Sequence, residues 1–153
     1  QGTITIEETR TYYEGDVPSL KQGFVKGRYT FYENPQQKGT GVLKGKFKTD
    51  FYINEKNEIK YDAIAFVADG FKNNQFEGTW TSYKTKESKK CNWGDYRIPD
   101  SDGLDIGAAE FSPMDKYSSF GWENYITAWN NYPDKPDVIK ARELEKAKWW
   151  LDD

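Results

Sequence analysis

The chain has no histidine and only one cysteine among its 153 residues. Without His it lacks the side chain that most often moves protons near neutral pH and most often ligates transition metals. A Ser–His–Asp triad, a Cys–His pair and the usual zinc sites are therefore excluded within the chain. Cys91, being alone, leaves no intrachain disulfide. No run of about 18 apolar residues occurs, so no segment reads as a membrane-spanning helix. Positive charge is also short, with 22 Lys and Arg against 25 Asp and Glu and a net charge of −3. That balance argues against nucleic acid as a partner, because affinity for it comes largely from neutralising phosphates. The sequence opens on Gln1 and not on Met, which suggests either a removed leader or a trimmed chain, a secreted or periplasmic location being the one favoured.

Aromatic residues are abundant: six Trp, eleven Tyr and nine Phe in a chain whose mean hydropathy is −0.97. Each ring can bury roughly 150–250 Å², so the rings must supply the core that sparse Leu and Val cannot. The length fits a single domain over 1–153.

Short β-rich runs separated by polar turns define its first part. Strands are expected over Thr3–Glu14, Phe24–Glu33, Val42–Ile53 and Glu58–Ala68, with turns at Gly15-Asp16-Val17-Pro18 and Asn34–Gly39. The third has the cleanest alternation: Leu43, Gly45, Phe47, Thr49, Phe51 and Ile53 on one face, Lys44, Lys46, Lys48, Asp50 and Tyr52 on the other. Phe76–Pro99 reads as a hairpin with a charged tip at Lys84–Lys90, giving strands five and six. Trp93, Asp95 and Arg97 then share one face of the sixth strand.

With no helix between them, these strands predict an all-β fold, an antiparallel up-and-down meander. Closure into a barrel would remove both edges. Gly-x-aromatic recurs at Gly27, Gly45, Gly78 and Gly94, where glycine would let the sheet bend. The barrel is placed over 3–111 and a loop with one short helix over 112–136. In that helix Trp122, Tyr125, Ile126 and Trp129 share a face. An amphipathic helix over 137–151 follows, with Val138, Ala141, Leu144, Ala147 and Leu151 on its apolar side.

The meander, the Gly78-Thr79-Trp80 motif and a helix near the C-terminus resemble the calycin group of small β-barrels, the lipocalins and avidins. The resemblance implies an up-and-down barrel around a small ligand. In that family the motif lies at the first strand, and here it lies mid-chain. Arg97 is a loose match for the late Arg that packs on the motif's Trp. Phe76-Glu77-Gly78-Thr79-Trp80 is also similar to one MORN-type unit.

The site residues singled out are Trp80, Tyr83, Trp93, Asp95, Tyr96 and Arg97. Trp80 and Trp93 read either as core rings or as a platform for a sugar or a small hydrophobic ligand. Asp95 and Arg97 read as an ion pair holding an edge, or as ligand contacts if they face a cavity. The acidic stretch Asp100–Asp105 with Glu110 lacks the EF-hand order and reads as a solvated turn, Ca²⁺ being the alternative. Cys91 beside Lys89 and Lys90 reads as a packed thiol or, if exposed, as a thiolate.

The function these features predict is non-catalytic binding of a small molecule or carbohydrate, with no cofactor. The alternative is a protein–protein or self-associating module, a homodimer through the C-terminal helix. The third is a His-free carboxylate enzyme of glycosidase type, drawing on Glu77, Asp95, Asp105 and Glu110.

Overall fold

The computed structural model describes residues 1–13, 15, 17–107, 110–129 and 132–147. The strands are β1 Gly2–Thr11, β2 Lys21–Tyr32, β3 Gly41–Ile53, β4 Ile59–Tyr61, β5 Asn73–Ser82, β6 Ser88–Lys90 and β7 Trp93–Asp95. A 3₁₀ helix at Asp115–Phe120 and helices α1 Glu123–Ala128 and α2 Pro136–Lys146 follow. The chain divides into two compact units, a β unit containing Gln1–Ser101 and a helical unit containing Asp102–Gly107 and the residues from Phe111 onward.

In the β unit all pairings are antiparallel and the strand order is β1-β2-β3-β5-β6, with β4 added to β3 and β7 to β5. Among the described residues β1 and β6 end this path without pairing to each other, so the sheet is not closed. Gln1 and Tyr32 exchange backbone bonds of 3.0 and 2.7 Å. By alternation Gly2, Ile4 and Ile6 then turn their N–H and C=O groups outward, away from β2. Ile4 and Ile6 are 54% and 61% exposed. A register shift between Ile6 and Glu8 bulges the strand at Glu7.

The alternation read in β3 sorts the whole sheet. Tyr29 sits opposite Gly45, Phe47 opposite Phe76, and Phe76 opposite Trp93, so their rings share one face. Phe76 and Trp93 stack at 4.8 Å and 8°, Phe47 stacks on Phe76 at 5.6 Å, and Tyr29 meets Phe31, Phe76 and Trp93 within 5.3 Å. These aromatic contacts, with Phe51, are the core of the β unit. The opposite face is ionic: Lys26 and Arg10 pair with Glu8, Arg28 with Glu7, Lys46 with Glu77 and Lys48 with Asp50.

Three expectations need correction. The fourth strand is only Ile59–Tyr61, because Asp62 Oδ1 accepts the Ile64 N–H at 3.1 Å and turns the chain. Phe66, read as strand, is 53% exposed in the turns that follow. The sixth strand is broken into β6 and β7, and the β5–β6 turn is shorter than Lys84–Lys90. Tyr96 has φ 66° and the Arg97 N–H returns to the Asp95 carbonyl at 2.8 Å, a three-residue turn that takes Arg97 out of the alternation with Trp93 and Asp95.

In the helical unit Phe111, Trp122, Tyr125 and Trp129 form a chain of ring contacts, as the shared helix face requires. Pro136 opens α2, where its missing N–H costs nothing. Val138 and Ala141 are buried, as is Ala128 of α1, and Arg142 Nε donates to the Ala128 carbonyl at 2.8 Å. Leu144 is 45% exposed, so the buried stripe is narrower than the predicted face. Glu14 and Asp16 of the first strand and turn, and 148–151 of the last helix, lie outside the described residues. Among the described residues no helix is long and apolar enough to cross a membrane.

Candidate functional site

The polar residues of the β unit converge where β1 ends, β2 begins and β3 finishes. Asn73, at the start of β5, is the anchor and is 1% exposed. Its Oδ1 accepts the N–H groups of Asp50 and Asn74, both at 2.7 Å. Its Nδ2 donates to the carbonyls of Asp50 at 2.9 Å and Asp62 at 3.0 Å. One amide thus satisfies backbone groups on three segments and does the work of a missing stretch of strand.

Around it lies a cleft of about 270 Å³ whose walls include Tyr12, Gln22, Asp50, Asp62, Phe71 and Lys72. Gln22 is buried and donates from Nε2 to Asp62 Oδ2 at 2.8 Å. Asp50 Oδ1 accepts from Tyr12 Oη at 3.2 Å and from Lys48 Nζ at 2.8 Å. Asp50 Oδ2 has no hydrogen-bond partner among the described residues. Burial first, then the Asp50 charge, pushes the Tyr12 phenol up. Burial works against the Lys48 ammonium, yet its bond to Asp50 and the Asp50 charge push it up too.

Two of the residues expected from sequence reach the neighbourhood of this cleft. Asp95 Oδ2 accepts from Tyr61 Oη at 2.7 Å and from Asn74 Nδ2 at 2.8 Å. Burial and then this carboxylate push the Tyr61 phenol up. Tyr96 meets the Phe71 ring edge-on at 5.0 Å.

The others lie elsewhere. Trp93 is part of the aromatic face, in contact with Phe76 and Tyr29. Trp80 gives its Nε1–H to Glu33 Oε2 at 2.7 Å, and Tyr83 Oη donates to the Glu33 carbonyl at 3.2 Å, both at the opposite end of the strands. The carbonyl of Arg97 accepts from Gln75 Nε2 at 3.0 Å. Cys91 is half-buried, and burial followed by the Glu33 charge pushes its thiol up, away from the thiolate form.

Tyr12, Gln22, Asp50, Asp62, Phe71 and Asn73 were not singled out from sequence. One signal was present: Asp50 is the single acid on the lysine face of β3. In the acidic stretch, Asp105 Oδ1 accepts the N–H groups of Gly107 and Ser112, both at 3.1 Å. Among the described residues no three His, Cys, Asp or Glu side chains are placed to hold a metal ion. Comparison with known protein families, with characterised proteins and with solved structures finds no match to this chain.

Proposed function

We propose that the protein is a non-catalytic carbohydrate-binding protein whose site is the Asp50–Asp62 cleft. Support comes from one arrangement: two carboxylates, a buried amide pair and two rings around about 270 Å³ of open space. Sugar hydroxyls are donors that carboxylates accept, the apolar face of a sugar ring packs on aromatic rings, and the amides of Gln22 and Asn73, already bonded within the chain, hold the walls in place. The volume suits one ring. Binding is favoured over catalysis because a glycosidase must protonate the leaving oxygen from one carboxyl. Here Asp50 accepts from Lys48 and Tyr12, and Asp62 from Gln22 and the Ile64 N–H. The calycin resemblance adds a ligand enclosed by the sheet. The rings of Tyr29, Phe47, Phe76 and Trp93 occupy the face on which it would lie, and the ligand is assigned to the cleft instead.

A glycan array probed with the labelled protein, followed by calorimetric titration of the best monosaccharide or disaccharide, tests this. Asp50→Asn and Asp62→Asn should each weaken binding tenfold or more, since a hydrogen bond to a charged group contributes about 1.5–3 kcal/mol. An array without hits, or variants that bind as the parent does, would remove the reading. A second reading, a self-associating module, draws on the exposed Trp129, Ile139 and Leu144 of the helical unit. Sedimentation showing a monomer at all concentrations would exclude it.

A further inference from the structure

The opposite end of the β unit carries a second cleft, between the β2–β3 turn and the end of β5. It holds about 560 Å³, and its walls include Gln36, Gln37, Lys38, Thr40, Tyr83 and Lys84. The ten residue steps from Gln22 to Tyr32 put it roughly 30 Å from the Asp50 cleft along the strand direction.

Its shape is fixed by the chain itself. The Tyr83 N–H donates to the Thr40 carbonyl at 3.1 Å, tying one wall to the other. Within the β2–β3 turn Asn34 Oδ1 accepts the Gln36 N–H at 3.0 Å and the Gln37 carbonyl accepts Thr40 Oγ1 at 2.9 Å. On the facing wall Ser82 Oγ accepts the N–H groups of Lys84 and Thr85, both at 3.2 Å. A ligand entering here meets turns that are already organised, which lowers the ordering cost of binding.

This cleft differs in charge from the other, whose walls carry Asp50, Asp62 and Lys72. No Asp or Glu lines it, and Lys38 and Lys84 are both among its walls. Among the described residues neither forms an ion pair, whereas Lys26, Lys46 and Lys48 on the ionic face of the sheet each hold a carboxylate. Glu33 is near, but its Oε2 already accepts from the Gly41 N–H and Trp80 Nε1, both at 2.7 Å, and two like charges on walls without an acid attract an anion. The two glutamine amides and Thr40 add neutral donors and acceptors of the kind that sugar hydroxyls engage, and Pro35 and Tyr83 add apolar surface.

We propose that this cleft binds an acidic saccharide of one or two rings through its sulfate or carboxylate group. The site is independent of the Asp50 cleft, and its failure would leave that reading untouched.

The test is an amide NMR titration of the full chain at low salt with a heparin-derived sulfated disaccharide, with digalacturonate, with lactose and with sodium sulfate. The expected result is that an acidic disaccharide shifts the amides of Lys38, Gly39, Thr40, Tyr83 and Lys84, and that lactose does not. The stronger of the two acidic sugars assigns sulfate or carboxylate as the natural group. Lys38→Gln with Lys84→Gln should weaken that binding at least tenfold. Unchanged amides of Gln22 and Asn73 would show that the variant is folded. Raising the salt to 0.5 M should weaken the parent in the same way. The proposal is overturned if neither acidic sugar moves these amides or if the double variant binds undiminished. It is equally overturned if sodium sulfate binds as tightly as both sugars, which would mark an adventitious ion site only.

Discussion

Tyr29 is 1% exposed, and its hydroxyl has no hydrogen-bond partner among the described residues. The ring fits because β3 and β5 place Gly45 opposite Gly78 beneath it. A Cβ on Gly78 would meet the Lys44 carbonyl and come within 2.5 Å of Tyr29 Oη. Burial, with the neighbouring Cys91 adding to it, pushes the phenol up to about 12. A pKa raised by folding means that the unfolded chain loses this proton first, near pH 10. The stabilisation is therefore complete below pH 10 and is lost as pH rises toward 12. Tyr29→Phe should keep or raise the urea midpoint at pH 7, since it removes a buried hydroxyl that bonds to nothing. In alkaline titrations followed by circular dichroism its unfolding should move to higher pH. A fall in stability at pH 7 of more than about 1 kcal/mol would show that the hydroxyl has a partner after all. Tyr29 was visible in the sequence only as part of Gly27-Arg28-Tyr29, because its burial depends on two glycines that lie 16 and 49 residues away.

At the scale of elements, β3 was legible because its thirteen residues alternate almost without exception. The fourth strand was not, because what ends it is a pair of side chains. Asp62 turns the chain, and the Asn73 amide takes the backbone groups that a longer strand would have paired. Long-range side-chain bonds of this kind leave no period in a sequence. Asn73→Ala would orphan several buried backbone groups at once and should cost about 3 kcal/mol of stability, measured by urea unfolding. A cost below about 1 kcal/mol would mean that water replaces the amide there. The same physics explains the partial view of the site. Asp95 was found because it sits in a run rich in polar and aromatic residues, whereas Asp50 and Asp62 meet only through the pairing of β3 with β4 and the turn that follows it.

For the whole molecule, the two units differ in what holds them. The β unit has long ladders and stacked rings, while in the helical unit Pro113, Ala128, Val138 and Ala141 are the buried apolar residues among those described. Local opening free energies follow buried contact. Amides of α2 should therefore exchange with deuterium at least a hundredfold faster than those at the centre of β3, as read by mass spectrometry after pepsin digestion. Equal protection would mean that the two units unfold as one. The β unit also carries its two clefts with different charge, Asp50, Asp62 and Lys72 lining one and Lys38 and Lys84 the other.

The open side of β1 has a consequence for handling and for evolution alike. From Gly2 to Ile6 it has neither a charged residue nor a proline, the two usual guards of a free edge, and the bulge that could blunt it comes only at Glu7. An extended Thr-Ile-Thr-Ile ribbon of this kind is where a foreign strand would add and where fibres would begin to grow. Crowding is then the condition under which this protein is most at risk.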